Sequence, residues 1–413
     1  MFEKKVKYIN KKNMKSMAKI AKDFSWNIAA TVLGTAVLQI MVYPILARWT
    51  ESDVYGEILT IMGIANILVT SIGGGLNNTR LIQEEKYGDR YVGDFNKLLG
   101  YYNIVGTCIF SLLMISMFEL TISNLVVISL YVFLGIIRGY GSVAYRLKIN
   151  YVANFKMNVF LSVGYVVGII LIKITNIWAF PFCLAEFLGI CYLYKTSSLH
   201  KEGFKKTALW SNTSKILIVL IINTVISNIV TYLDRLVLYP MLGGEQVSIF
   251  TVSSFVGKSI GILITPISGV LLSYYAQKNF RMTIRKYWLI NLVLITGSTF
   301  LGGIALILAP WFTGILYPTL IEASLPYITI ANTAALIGVL SNVISPAILK
   351  FANINWQLII QVIYIASYFG LGIVFLNKGG LYGFCIANML ANAVRVCIFL
   401  VVGNIGVKKQ EEI

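Results

Sequence analysis

Apolar runs of about twenty residues recur along the whole chain, and they limit the folds it can adopt more than any other feature. About twenty residues is the length at which a helix crosses the hydrocarbon core of a bilayer. Of the 413 residues, 57% are hydrophobic and 12% are charged, whereas soluble domains carry about 25% charged residues. Membrane-spanning β-strands would be about ten residues long and would alternate in polarity, which this sequence does not do. The pattern predicts an all-α, multi-pass membrane protein.

The apolar runs predict twelve transmembrane helices. We place them at residues 26–47, 58–82, 98–118, 125–145, 157–174, 177–194, 216–242, 247–275, 287–308, 328–349, 356–376 and 381–402. The chain is thereby divided into a basic arm (1–24), a first lobe of six helices (25–194), a polar linker (195–210), a second lobe of six helices (211–403) and a tail (404–413). Because the outer loops are short and neither side has room for a further domain, we expect function to reside inside the helix bundle or at its mouths.

Positive charge follows the ends of the apolar runs and indicates their orientation. Of the 34 Lys and Arg residues, 27 border the side of the N-terminus and 3 border the opposite side. This asymmetry predicts that both termini lie in the cytoplasm, with the basic arm on anionic lipid. The net charge of +17 is therefore a topology signal, and it does not predict a nucleic-acid partner.

A weak internal repeat relates the two predicted lobes. YPILARWTESDVYG (43–56) ends the first helix, and YPMLGGEQVSI (239–249) ends the seventh. LKIN (147–150) follows the fourth helix, and LKFAN (349–353) follows the tenth. Both matches pair one helix with the helix six places later, so the lobes have the same orientation. Such a repeat predicts an axis along the membrane normal and a central cavity.

Six ionisable residues fall within the predicted helices, where a charge costs at least about 2.5–3.5 kcal/mol. Each must therefore be paired or face water. The four cations are candidates for binding substrate: Lys258, Arg235, Arg138 and Arg395. The two acids, Asp234 and Glu186, are candidates for counter-charges or for proton coupling. The surplus of cations predicts a positive cavity, and arginine in particular matches phosphate oxygens.

The depth of these residues leaves two interpretations open. The rise of a helix places Asp234 about 13 Å and Lys258 about 19 Å from the outer ends of neighbouring antiparallel helices. Asp234 can tie the helices together through Arg235 or Lys258, or it can face the cavity. Arg138 and Arg395 can line the cavity, or they can extend to the inner interface.

Glycines and a proline mark the candidate hinges. Gly73, Gly74 and Gly75 are consecutive in the second predicted helix, and Pro266 interrupts the eighth. Residues of these types let membrane helices bend or pack closely, and close packing alone is the other interpretation. Because the second and eighth helices are equivalent across the repeat, we expect them to flex during alternating access.

The residues of catalysis and of metal binding are not gathered in this sequence. The single histidine, His200, lies in the polar linker, and the five cysteines are scattered through the predicted helices. Their spacing fits neither a metal site nor a disulfide framework. We predict no catalytic residue, no metal site and no cofactor, and a transporter rather than an enzyme.

Two stretches carry a family resemblance: SWNIAATVLGTAVLQIMVYPILARWTESDVYGEILT (25–60) and YLDRLVLYPMLGGEQVSIFTVSS (232–254). With the basic arm and the topology, they resemble the polysaccharide-exporting flippases of the Wzx type, in the superfamily of the multidrug and toxin extrusion transporters. The resemblance implies that undecaprenyl-pyrophosphate-linked oligosaccharide units, of the O-antigen or capsule type, move from the cytoplasmic to the periplasmic leaflet of the bacterial inner membrane. It also implies a polysaccharide polymerase and a chain-length regulator as partners.

Three competing functions fit the sequence less well. A cation-coupled drug or metabolite exporter of the same fold prefers an acidic cavity, and the first predicted helix contains no acid. The related lipid II flippases normally have fourteen spans. A membrane polysaccharide polymerase would be expected to have a large outer loop with catalytic acids or arginines, whereas the longest outer loop, 309–327, has no Lys or Arg.

Overall fold

The structure is a computed structural model, and it describes residues 25–412 apart from 27, 31, 89–92, 276–280 and 354. The predicted basic arm, residues 1–24, lies outside the described residues. The described part of the chain is helical and contains no β-strand, which confirms the class predicted from the apolar runs.

The first half of the chain forms six helices. They are α1 (Ile28–Trp49), α2 (Ser52–Tyr87), α3 (Asp94–Met117), α4 (Ile122–Leu147), α5 (Tyr151–Thr175) and α6 (Phe180–Thr196). Side-chain caps fix the starts of two of them, because the Thr121 hydroxyl accepts the N–H of Asn124 and the Asn150 side chain accepts that of Ala153. Each bond satisfies a backbone donor that has no partner inside the helix.

The second half forms five helices, two of which contain breaks. They are α7 (Trp210–Ser253), α8 (Phe255–Tyr275), α9 (Ile284–Leu316), α10 (Ile321–Phe351) and α11 (Asn355–Glu411). Gly243, with a φ of 82°, breaks α7, and Gly379 and Gly380 break α11. The sequence predicted a loop at 243–246 and one continuous span at 247–275. Instead, the loop is reduced to the break at Gly243, because glycine adopts a positive φ without strain, and a second break lies at Ser254.

Among the described residues, nine helices are long and apolar enough to cross a membrane: α1 to α5, α7 and α9 to α11. Two of them are longer than one crossing requires, since α7 has 44 residues and α11 has 57. The break in α11 separates the eleventh and twelfth predicted spans. These helices support a multi-pass membrane protein, while the count of twelve crossings and their orientation stay predictions.

Packing divides the chain into two compact units. Unit 1 comprises Met1–Leu46 and Ile61–Ile229, and unit 2 comprises Ala47–Thr60 and Val230–Ile413. The end of α1 and the start of α2 therefore pack within unit 2, and α7 begins in unit 1 and ends in unit 2. This division differs from the two lobes predicted from the repeat, and the lobe boundaries stay a prediction.

Close packing surrounds two of the three consecutive glycines in α2. A wide π-helical turn at Val69–Gly73 leads into them. A Cβ on Gly73 would lie 3.1 Å from the carbonyl oxygen of Ile136 in α4, and a Cβ on Gly75 would lie 2.8 Å from a side-chain carbon of Ile221 in α7. Nothing lies within 4 Å of a Cβ on Gly74. Close approach of neighbouring helices thus explains Gly73 and Gly75.

The break between α7 and α8 is bridged by a side chain from α10. In an unbroken helix the N–H of Gly257 would bond the carbonyl of Ser253. Here the amide of Asn332 is inserted between them: its Oδ1 accepts from Gly257 N at 2.6 Å, and its Nδ2 donates to Ser253 O at 2.6 Å. Pro266 lies further along, within Phe255–Tyr275. The hinge roles of Pro266 and of the three glycines stay predictions.

Candidate functional site

Asp234 and Lys258 form an ion pair between α7 and α8 in unit 2. The Lys258 ammonium donates to Asp234 Oδ2, and the backbone N–H of Arg235 donates to Asp234 Oδ1 at 2.9 Å. The Asp234 side chain is nearly fully buried, whereas 38% of the Lys258 side chain is exposed. The ammonium also lies 5.1 Å from the ring centroid of Phe250. The pairing expected from helix rise is present, so these two charges offset each other.

Arg235 points in a different direction from Asp234, its neighbour in the chain. Its guanidinium donates to the carbonyl oxygen of Leu59 in α2 at 2.8 Å and lies 5.6 Å from the ring centroid of Tyr232. Successive helical residues are rotated by about 100°, which accounts for the separation. Arg235 therefore connects α7 to the segment of α2 that belongs to unit 2.

Arg395 in α11 has no acidic partner within the described part of the chain. Its guanidinium lies over two aromatic rings, 4.9 Å from the centroid of Tyr364 and 5.4 Å from that of Phe399. Its Nε atom is buried and has no hydrogen-bond partner among the described residues. Aromatic faces attract a cation but do not neutralise it. Arg395 thus keeps its charge and a free donor.

Arg138 and Glu186 form the corresponding ion pair in unit 1, between α4 and α6. The guanidinium faces the carboxylate with two parallel hydrogen bonds, of which the Nη2 to Oε1 bond measures 2.8 Å. Glu186 is buried and 22% of the Arg138 side chain is exposed. A Cβ on Gly189 would lie 3.0 Å from Arg138 Cδ, so this glycine gives the arginine room. The pair holds Arg138 at Glu186, in place of the extension to the interface that the sequence left open.

An aromatic cluster lies one helical turn from Glu186, around Phe182. Four rings have centroids 6.1–6.4 Å from that of Phe182, namely Tyr43, Tyr131, Tyr165 and Trp178. The Tyr131 hydroxyl also donates to the side chain of Asn66 at 2.9 Å. Aromatic rings beside a carboxylate could hold an organic cation, but Arg138 occupies that carboxylate in this structure.

The outer copies of the internal repeat contact each other within unit 2. A Cβ on Gly244 would lie 2.2 Å from the carbonyl oxygen of Asp53. The N–H of Glu245 donates to Asp53 Oδ1 at 3.1 Å, and the Ser248 hydroxyl donates to Ser52 O at 2.5 Å. The sequence showed the repeat but did not predict that its two copies meet. The glycine in each copy, at the place of contact, is the signal that could have indicated it.

A buried ionic clasp at the polar end of unit 1 was also missed by sequence reasoning. Arg80 donates two hydrogen bonds of 2.9 Å to Glu202, and Asp94 accepts from both the N–H and the hydroxyl of Thr207. The Arg80 guanidinium lies 4.6 Å from the ring of Phe95. Burial raises the pKa of Glu202, although Arg80 opposes the shift. The clasp fastens the α6–α7 linker to α2 and α3, and the indicating signal was the only acid in a basic linker.

Comparison with known proteins gives the fold. No protein-family model and no curated protein matches this chain. The lipid II flippase MurJ in an inward closed conformation is similar, with a TM-score of 0.69, 16% identity, and coverage of 91% of this chain and 86% of MurJ. An inward-facing multidrug resistance MATE transporter of the MOP superfamily has a TM-score of 0.62, 12% identity, and coverage of 94% and 95%. For the MATE transporter VcmN of Vibrio cholerae the values are 0.63, 11%, 96% and 98%. The chain therefore has the fold shared by the MATE transporters and the MurJ flippase of the MOP superfamily.

Proposed function

We propose that this chain is a flippase of the bacterial inner membrane. Its substrate would be an undecaprenyl-pyrophosphate-linked oligosaccharide of the O-antigen or capsule type, moved from the cytoplasmic to the periplasmic leaflet. The resemblance of 25–60 and 232–254 to Wzx-type flippases supports this substrate. The likeness to the MurJ flippase supports a fold that can move a lipid-linked molecule.

Arg395 is the observation that carries the proposal. The two acids among the six charged candidates are each paired with a cation, Asp234 with Lys258 and Glu186 with Arg138. Arg395 remains without a carboxylate in the described chain, with a buried and unused donor. A pyrophosphate supplies the acceptor oxygens that such a guanidinium can bind. Lys258, 38% exposed, is a second contact if substrate competes with Asp234.

The contact between the repeat copies supports alternating access. Within unit 2, the backbone at Gly56 touches the backbone at Gly244, on the side that the sequence assigns to the periplasm. We take this contact as the closed outer gate. Release of the substrate to the outer leaflet then requires the gate to open, and a flexing of α2 at Gly73–Gly75 and of α8 at Pro266 would accommodate the movement.

The test is flipping of a fluorescent polyprenyl-diphosphate oligosaccharide in proteoliposomes, read as protection from a reagent that cannot cross the membrane. We expect Arg395→Ala to slow flipping at least about tenfold, because a hydrogen bond to a charged group contributes about 1.5–3 kcal/mol. Arg395→Lys should keep part of the activity. The matched control is Arg285→Ala, which removes an exposed arginine outside the predicted cavity set. Equal rates for Arg395→Ala and the control would exclude Arg395 as a substrate contact.

A cation-coupled exporter of drugs or metabolites is the second candidate. The aromatic cluster around Phe182 beside Glu186 favours it, and so does the likeness to MATE transporters. In that case Glu186 would leave Arg138 and bind the cation or a proton. Efflux of a cationic dye that is lost in Glu186→Gln, together with unchanged lipid flipping in Arg395→Ala, would favour the exporter.

A further inference from the structure

A cavity outside the predicted site lies at the ends of three helices in unit 1. It measures about 330 Å³ and is partly open. The end of α4, the start of α5 and the last turns of α6 form its walls. Its polar lining consists of Tyr145, Lys148, Asn150, Lys156, Tyr192 and Thr196. None of the candidate cavity charges or hinges is among the lining residues.

The cavity has positive charge without a counter-charge. Lys148 and Lys156 are both exposed, and no aspartate or glutamate lines the cavity. Neither lysine makes a hydrogen bond or an ion pair within the part of the chain that the structure describes. The start of α5, a helix of 25 residues, adds the positive end of its dipole. An anion is the ligand that this arrangement favours.

The neutral wall of the cavity is ordered by its own contacts. The hydroxyls of Tyr145 and Thr196 are hydrogen-bonded at 2.6 Å. The ring of Tyr192 stacks on Phe160 with centroids 5.1 Å apart. Because Asn150 uses its side-chain oxygen to cap α5, the two lysines and the hydroxyl pair are the groups facing an incoming ligand. Two ammonium groups with nearby hydroxyls suit a phosphate.

An apolar stripe leads away from the cavity along α5. On the face of Lys156, at spacings of three or four residues, large exposed side chains follow: Phe160, Val163, Val167, Ile170 and Ile174. Residues at these spacings share one face of a helix. A phosphate held by Lys156 would thus sit at the head of a surface along which acyl chains can lie. A free phosphate would make no use of that surface.

We propose that this cavity binds the phosphate headgroup of an anionic phospholipid, with its acyl chains along the stripe on α5. With the N-terminus in the cytoplasm, as the positive charges predict, the lipid belongs to the cytoplasmic leaflet, whose surface is negative. The site is independent of the transported substrate, because it uses none of the residues assigned to transport.

The test is native mass spectrometry of the full-length protein in a neutral detergent. The probes are phosphatidylglycerol, phosphatidylcholine with the same acyl chains, and sn-glycerol 3-phosphate. We expect phosphatidylglycerol to bind best, and Lys148→Gln/Lys156→Gln to bind it about thirtyfold more weakly, since each basic residue contributes about 1 kcal/mol and about 1.4 kcal/mol is tenfold. The matched control, Lys408→Gln/Lys409→Gln, removes two exposed charges from the tail and should bind like the wild type.

Three results would overturn the proposal. The first is equal binding of phosphatidylglycerol by the Gln double variant and the wild type. The second is binding of glycerol 3-phosphate as tight as that of phosphatidylglycerol, which would make this a site for a free phosphate. The third is loss of binding in Lys148→Arg/Lys156→Arg, which keeps both charges. Flipping by the Arg395 variants is measured separately, so either proposal can fail without the other.

Discussion

Gly56 and Gly244 are in backbone contact: a Cβ built on Gly56 would lie 1.8 Å from the carbonyl oxygen of Gly244. No side chain larger than a hydrogen atom fits there while the two segments keep their positions. The two glycines belong to the two copies of the internal repeat, one at the start of α2 and the other beside the break in α7. Sequence duplication has thus produced a contact in which each copy supplies the close approach of the other.

We predict that Gly56→Ala weakens this contact. The added methyl group meets backbone rather than a flexible side chain, so the segments must separate, at a cost of about 1–3 kcal/mol typical of overpacking. The midpoint of thermal unfolding in detergent should fall by several degrees. Gly74→Ala is the matched control in the same helix, because nothing lies within 4 Å of its Cβ. An equal or smaller loss in Gly56→Ala than in Gly74→Ala would contradict the contact.

The ion pair between Asp234 and Lys258 predicts an unequal response to removal of either partner. Lys258→Met leaves a buried carboxylate without its ammonium, and breaking a buried pair in this way costs about 3–5 kcal/mol. Asp234→Asn leaves Lys258, whose side chain is 38% exposed and can be hydrated. Thermal unfolding should therefore show the larger loss for Lys258→Met.

A charge exchange completes this experiment. Asp234→Lys/Lys258→Asp restores opposite charges and should recover stability relative to Lys258→Met if the pair is structural. Recovery of stability without recovery of flipping would show that one of the two positions also contacts substrate. If both single variants are as stable as the wild type, the pair does not join α7 to α8.

Local pattern was sufficient for the helices and for one of the two ion pairs. Hydropathy over about twenty residues identifies a membrane helix because burial in lipid is a property of the segment itself. Asp234 and Lys258 were matched by counting residues from a shared turn, since the rise of a helix converts sequence distance into depth. Where a helix breaks was harder to predict. The break at Ser254 depends on Asn332, a residue from another helix, and no local signal contains it.

Contacts between distant segments account for what sequence reasoning missed. Arg138 and Glu186 were both identified as membrane charges, but they lie on helices without a common turn, and their pairing follows from how α4 packs on α6. The same holds for Arg80 and Glu202, 122 positions apart. Arg80 was counted among the charges of an inner loop, yet it is buried. Hydropathy assigns a charge to the membrane or to water, and only tertiary packing supplies its partner.

The clasp at the polar end of unit 1 predicts where the linker first becomes accessible. Glu202→Ala leaves Arg80 buried without its bidentate partner, which costs about 3–5 kcal/mol. The linker should then detach, and trypsin should cut sooner at the exposed residues Lys205 and Lys206. Glu84→Ala is the control, because Glu84 also bonds Arg80 but is 37% exposed and should contribute less than about 1 kcal/mol. Equal cleavage rates in the two variants would show that the clasp does not hold the linker.

The orientation of the chain can be determined with single cysteines, after the five native cysteines are replaced by alanine. Thr319 is exposed in the loop between α9 and α10, and Lys205 is exposed in the linker between α6 and α7. The predicted topology places these positions on opposite sides of the membrane. A thiol reagent that cannot cross the membrane should therefore label Thr319→Cys in cells with an opened outer membrane and an intact inner membrane. Lys205→Cys should react only after the inner membrane is opened. The reverse pattern would place the basic ends of the helices outside, and with them the lipid site at Lys148 and Lys156.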